Sequence, residues 1–279
     1  MIRSARIELW VEERGGEPAV NPVMRALLES LAGDGAVVSV RVPEREVFDP
    51  LDERPADLVL LKSATDLALS RAVAGEAGGT RFLNAARATF GVHDKAATVA
   101  RLAAAGLPVP KSFLFQPDEE TVRSGTEGRW VVKPVRGVHG RGVSFHEGPV
   151  LKLPAEVEAD GSFVADDGVR LLQGRVGGEE ADVKVYVADG ICFAGRKRFS
   201  ASSYRTDEIV PVALDPETEG IVRAAGEALG LSCFGVDLRF DGEGPFIIDA
   251  NPFPGYRGFP GAVGALRAEV ERALEAACR

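Results

Sequence analysis

Two apolar runs near the C-terminus, CFGVDLRF (233–240) and FIIDAN (246–251), are separated by DGEGP (241–245). Apolar strands flanking an Asp- and Gly-rich turn predict an antiparallel hairpin. Strand side chains alternate between faces, so Asp249 and Asn251 share one side. Pairing about Glu243 sets Asp237 directly opposite Asp249, with Cβ atoms about 4.5–5.5 Å apart. Two carboxylates that close repel each other unless positive charge lies between them. Three converging oxygen-bearing side chains make a hard-cation site. Magnesium suits it, because it takes few protein ligands and fills its remaining positions with water and phosphate oxygens. Asp237, Asp249 and Asn251 are therefore the candidate metal ligands. The competing reading, a solvated strand face, fits poorly with the apolar neighbours and with the NPFPG bend that follows at once.

The first 90 residues alternate strand and helix patterns. ARIELWV, AVVSVRV and ADLVLLK read as strands, RFLN as a short fourth, and NPVMRALLESLAGDG and DLALSRAVAGEAGG as helices closed by glycine. Such alternation predicts a small parallel sheet. Asp94 caps a predicted helix to about Ala105, with Gly106 as its stop and Pro108 beyond. From about residue 113 the pattern turns to strands joined by Gly- and Asp-rich turns, as in antiparallel hairpins. Further helices are predicted over about 216–230 and 262–277.

WVVKPVRGVHGRGVSF (130–145) ends an apolar strand on Lys133 and then carries Gly137, Gly140 and Gly142 before another strand. Glycines let backbone N–H groups approach phosphate oxygens. With Lys133, Lys95 and the acidic hairpin, this loop suggests a nucleotide held between cationic and magnesium grips. Arg136, His139, Arg141, Lys184, Arg196, Lys197, Arg198, Arg205 and Arg257 recur where they could line one cleft, which points to an anionic substrate. His93 and His146 are expected at the surface, and the histidines are too scattered for a metal cluster.

The chain of 279 residues has 45% hydrophobic and 27% charged residues, and can bury a substantial core. Its net charge of −9 argues against nonspecific nucleic-acid binding. Cys192, Cys233 and Cys278 have neither zinc nor CxxC spacing, and Cys192 and Cys233 are expected as inert core thiols. No signal peptide or membrane-spanning run is read, so the expected location is cytoplasmic.

Taken in order, these motifs resemble the ATP-grasp superfamily over roughly residues 90–260. HDKAATVARLAAAGLPVP is similar to its first ATP-lysine segment, with Lys95 as that lysine. WVVKPVRGVHGRGVSF is similar to its second lysine, Lys133, and its phosphate-covering loop. LLQGRV resembles the linker between its two lobes, and FGVDLRF with FIIDANPFPGY resembles its metal hairpin. The resemblance implies an α/β (α+β) fold in which two α+β lobes clasp ATP, preceded by a small parallel-sheet domain. The implied boundaries are 1–90, 91–175 for the central lobe and 176–279 for the C-terminal lobe. It implies ATP and Mg2+ as cofactors. Lys95, Lys133, Gly137, His139, Gly140, Arg141, Gly142 and Ser200 would meet ATP, with Gln173 and Val176 at the adenine. Lys184 and Arg198 would be catalytic. Asp249 departs from the pattern, since many members carry Glu there.

Two branches remain open. One contains carboxylate–amine ligases of the ribosomal-protein glutamate ligase type, which form amide bonds through an acyl phosphate. The other contains inositol tris/tetrakisphosphate kinases, which phosphorylate a polyol hydroxyl. A noncatalytic nucleotide-binding regulator is a third reading. The implied acceptor is a small anion: an amino acid, peptide, carboxylate or phosphorylated polyol. Neither nucleic acid nor membrane is an expected partner, and a homodimer is compatible with this kind of fold.

Overall fold

The computed structural model describes residues 2–49, 56–116, 122–123, 128–137, 142–148, 150–151, 168–178, 182–197 and 209–276. Its N-terminal part contains β1 (Arg6–Trp10), a small hairpin of β2 (Glu13–Arg14) and β3 (Glu17–Pro18), α1 (Pro22–Gly33), β4 (Val37–Arg41), β5 (Leu58–Leu61), α2 (Asp66–Ala77) and β6 (Phe82–Leu83). The large strands form a parallel sheet in the order β4-β1-β5-β6. The chain leaves β1 toward β4, then returns past β1 to β5, so the loops after β1 and β5 diverge and leave a crevice at their C-terminal ends. Asn21 starts α1, its side chain accepting from Met24 N–H at 3.0 Å, and Pro22 fits the first turn. Met24, Leu27, Leu28 and Leu31 form the buried stripe of α1. Each such side chain contributes roughly 1.5–3 kcal/mol on full burial.

Two helices follow. α3 (Ala86–Val92) was not expected from the sequence. Its N-cap, Ala85, makes no side-chain cap. Glu76 of α2 supplies the acceptors instead, at 2.7 Å from Ala86 N–H and 3.1 Å from Arg87 N–H. A cap donated from ten residues upstream leaves no local signal. α4 (Lys95–Ala104) begins as expected, with the Asp94 side chain accepting from Ala97 N–H at 2.9 Å, and left-handed Gly106 follows it.

The middle part contains β7 (Ser112–Phe115), β8 (Val122–Arg123), β9 (Arg129–Pro134), β10 (Ser144–Glu147), β11 (Val150–Leu151) and β12 (Arg170–Gly174). An antiparallel sheet runs β10-β9-β12-β7, and β8 pairs with β11. The last part contains β13 (Asp182–Ala188), β14 (Ile191–Lys197), β15 (Val210–Pro211), α5 (Pro216–Leu229), β16 (Phe234–Asp241), β17 (Gly244–Pro252) and α6 (Ala262–Glu275). Its antiparallel sheet runs β15-β14-β13-β16-β17.

The C-terminal helix does not pack only on its own sheet. Leu266, Val270 and Leu274 of α6 enter the same core as Leu27 and Leu31 of α1 and Ile7 and Leu9 of β1. A second tie is buried Asn84, after β6. Its Nδ2 donates to the Cys233 carbonyl at 2.7 Å, and its Oδ1 accepts from Ser232 and Cys233 N–H at 2.9 Å each. These contacts hold the parallel sheet against the base of the β16–β17 hairpin. Among the described residues, no helix is long and apolar enough to cross a membrane.

Candidate active site

The hairpin turn is tighter than pairing about Glu243 requires. Asp241 pairs with Gly244, Arg239 with Phe246 and Leu238 with Ile247. Continued without interruption, that register would bring Ile248 opposite Asp237. A bulge intervenes, and Asp237 pairs with Asp249 as expected. The extra residue is Ile248. Its carbonyl accepts from Lys133 Nζ at 3.0 Å. The bulge therefore does two things: it restores the facing carboxylates and supplies an acceptor to a lysine on another sheet.

Lys133 is buried in β9. In the β9–β12 ladder, Lys133 pairs with Leu171 and Val131 with Gln173, so Lys133 and Gln173 are diagonal neighbours on one face. Lys133 Nζ donates to Gln173 Oε1 at 2.8 Å. Burial lowers its ammonium pKa against the pull of Asp249. Lys95, at the start of α4, donates from Nζ to the Gly137 carbonyl at 3.0 Å and lies 3.6 Å from Asp249. Lys184 of β13 pairs across the ladder with Asp237 of β16, Nζ to Oδ2 at 2.5 Å.

These charges pull the two carboxyls apart. Burial disfavours the Asp249 carboxylate, but Lys95, Lys133 and Lys184 outweigh it and hold its pKa below the usual range. Burial pushes Asp237 up, and Asp249 beside it adds to this against the pull of Lys184. Burial also works against the charge on Lys184, yet Asp237 prevails and raises its pKa.

All of these groups line one cavity of about 760 Å³, a volume suited to a small ligand. Lys95, Lys133, Gly137, Gln173, Val176, Lys184, Asp237, Asp249 and Asn251 are on its wall. Among the described residues, Gln173 Nε2 is buried there with no hydrogen-bond partner, a donor beside the expected adenine position. Gly142 has a left-handed φ of 66° and is not itself on the wall, although Val143 is. His139, Gly140, Arg141, Arg198, Ser200 and Arg205 lie outside the described residues, as does Cys278.

Magnesium fits this donor set. Two carboxylates face each other across a ladder, Asn251 lies two residues along the same strand, and every donor is oxygen. Among the described residues there is no group of three or more His, Cys, Asp or Glu side chains able to hold a metal ion. A bound ion would therefore draw its further ligands from water and ligand oxygens.

Several expectations are corrected. His93 is half-buried rather than exposed. It follows the unexpected α3, lines the cavity, and is held down to about 4 by burial and by Lys95. His146 is half-buried in β10, 2.8 Å from Ser144 Oγ. Arg136 and Arg196 are exposed and off the cavity wall. In the β13–β14 register Arg196 pairs with Val183, whereas Lys197 pairs with Asp182, so alternation sends Lys197 inward and Arg196 out. Cys233 is buried as expected, whereas Cys192 is only half-buried; burial pushes both thiols up.

The sequence reading missed Asp182, Arg239, Tyr186 and Lys62, all on the wall. Asp182 was legible, since it lies two residues before Lys184 on one strand; in the structure it is ion-paired with Arg239. Lys62 is the first residue past β5, at the crevice of the parallel sheet. Its Nζ donates to the Phe253 carbonyl at 3.0 Å, and burial lowers its pKa to about 8.

Comparison with known proteins bears on the family and the fold. A family model described as an ATP-grasp domain matches residues 92–255. A probable alpha-L-glutamate ligase of Methanococcoides burtonii is 26% identical over 273 residues, 95% of this chain and 88% of that protein. One of the same name from Legionella pneumophila strain Corby is 27% identical over 195 residues, 66% of this chain and 63% of that protein, so the chain spans under two thirds of that relative. The crystal structure of a D-cycloserine synthetase, DcsG, superposes with a TM-score of 0.71 at 18% identity, over 96% of this chain and 99% of that one, which is a likeness of fold.

Proposed function

The chain belongs to the ATP-grasp family, and from that premise we propose that it is an ATP-dependent carboxylate–amine ligase working through an acyl phosphate. One observation carries the reading: three buried or half-buried lysines and two facing aspartates meet on the wall of a single ligand-sized cavity. The relatives' names favour an amine, rather than a polyol hydroxyl, as the final acceptor.

The contacts support the following roles. Lys133, steered by Gln173 and the Ile248 carbonyl, presents its ammonium to the nucleotide phosphates. Lys95, tied to Gly137, does the same from α4 and joins the loop to the Asp249 side of the site. Gln173 Nε2 and the backbone near Val176 receive the adenine. Asp237, Asp249 and Asn251 would hold magnesium, which when bound neutralises phosphate oxygens. A carboxylate oxygen of the acceptor attacks the γ-phosphorus, the bond to the β,γ-bridging oxygen breaks, and ADP leaves. The amine then attacks the acyl carbon, losing a proton as phosphate departs. Lys184 pairs with Asp237 and orients it, opposing the upward push of burial on its carboxyl. On the family resemblance, Arg198 would stabilise charge on the transferred group, Ser200 and the residues 139–141 would meet the ATP, and the lobes divide near residue 175. Such transfer depends on positioning and charge neutralisation more than on a covalent enzyme group, and closure keeps water from the acyl phosphate.

The test is ADP release with magnesium and ATP against pools of amino acids, peptides, carboxylates and inositol phosphates, with hydroxylamine present to trap acyl phosphate. A hydroxamate is expected. A phosphorylated polyol would convert the reading to a kinase, and nucleotide binding without acceptor-dependent ADP release would convert it to a noncatalytic regulator.

A further inference from the structure

Lys62 has no part in the roles assigned above, yet it faces the same cavity. It follows β5 directly, and Val11 and Glu12, which follow β1, are on the wall beside it. The loops after β1 and β5 run in opposite directions. Their crevice is the switch point at which open parallel sheets bind ligands. The other boundary of this region is the end of β17, where Phe253, at φ 50°, turns its carbonyl to Lys62. Asp249 lies three strand residues before Pro252, so this region begins on the order of 10 Å from the facing carboxylates.

Lys95 has Asp249 and Lys184 has Asp237 as ion-pair partners, and Lys133 spends two donors on Gln173 Oε1 and the Ile248 carbonyl. Among the described residues, Lys62 makes a single side-chain hydrogen bond, to a backbone carbonyl, and no ion pair. An ammonium has three donors, so two remain for the cavity. Among the described residues, Arg14, Arg257 and Glu12 are the charged side chains that act on Lys62 on this stretch of wall, and Glu12 is within 3.1 Å of Arg14. Burial, with Arg14 and Arg257 nearby, weakens its hold on the proton against the attraction of Glu12. An enclosed cation of this kind is stabilised when an anion binds.

We infer that Lys62, flanked by Arg14 and Arg257, forms a subsite for a second carboxylate of the acceptor, one that is not phosphorylated. The inference rests on the ligase reading and narrows it: the substrate carries two carboxylates, one brought to the phosphates and one held at the parallel-sheet crevice.

The experiment has two arms on the full chain with ATP and magnesium. In the first, acetic anhydride labels lysines at pH 8, and peptide mass spectrometry follows Lys62 with L-glutamate, L-glutamine or isoglutamine present. L-Glutamate should protect Lys62 and both monoamides should protect it less. In the second, Lys62→Met should raise the KM for L-glutamate on the order of 10- to 100-fold, with the KM for ATP held within twofold and Lys62→Arg recovering part of the loss. Equal protection by the amides, or none by any of the three, overturns the subsite. A rise in the KM for ATP that matches the rise for glutamate overturns it too, because Lys62 is then a strut for the Phe253 turn; Lys62→Arg, which keeps the charge, controls for misfolding. If glutamate protects Lys62 while no carboxylate stimulates ADP release, the subsite stands and the ligase reading falls. If ADP release responds to glutamate while Lys62 is unprotected, only the subsite falls.

Discussion

Replacing Asp249 with Asn separates a binding role for that carboxylate from a structural one. Asp249 lies 3.6 Å from Lys95 Nζ, and the two side chains are 28% and 18% exposed. At an effective dielectric constant near 20, their attraction is about 5 kcal/mol before any offset. Partial exposure screens that figure. Asn still offers an oxygen to Lys95 and relieves the repulsion between Asp249 and Asp237. The net cost to folding should therefore be about 1–2 kcal/mol, or about 2–8 °C in Tm for a chain of this size. Turnover should respond far more, falling about 100-fold or further, because the charge facing the phosphates is removed. Differential scanning calorimetry gives the first quantity, and ADP release with a responsive acceptor gives the second. Titration of ADP binding with magnesium should show the ion's effect on affinity weakened. A variant that fails to fold, or one that keeps turnover within about threefold of the parent, would refute this assignment of Asp249.

Lys133→Met should weaken ADP binding about tenfold or more by calorimetry, and unchanged affinity would remove Lys133 from the phosphates. His93 is held neutral, near 4 in the folded chain against 6.5 unfolded, so the unfolded chain binds the extra proton between those values. Stability should then fall as pH drops from about 7 to 4, by up to roughly 3 kcal/mol. In His93→Gln, urea midpoints should lose most of that slope. Gly226→Ala would bring a Cβ within 2.4 Å of the Phe234 ring, and Phe234 is buried in the core. A loss of about 1–3 kcal/mol is expected; an undiminished thermal midpoint would show that α5 can shift away from β16 without cost.

Much of the molecule was legible because its signals are local. The period-two pattern of β16 and β17, the Asp94 cap of α4 and the alternation of the first 83 residues each lie within a few neighbouring positions. They carried the hairpin, the parallel sheet and the facing aspartates. Where the determinant was distant, reading failed. α3 takes its cap from Glu76, and with α3 went the burial of His93. The fate of Arg196 depended on the β13–β14 register, and its neighbour Lys197 points the opposite way for the same reason.

By itself, the order of residues determined which side chains could act: two aspartates and an asparagine on adjoining strands, lysines at the end of a strand and the start of a helix, and glycines between strands. Only the tertiary structure decided that they share one cavity, that the Ile248 bulge both aligns the aspartates and anchors Lys133, and that Lys62 closes the far wall. The physical reason is the range of the forces. Strand alternation and helix capping act over one to four residues, whereas enclosing an ammonium or a carboxylate depends on which distant segments exclude water around it.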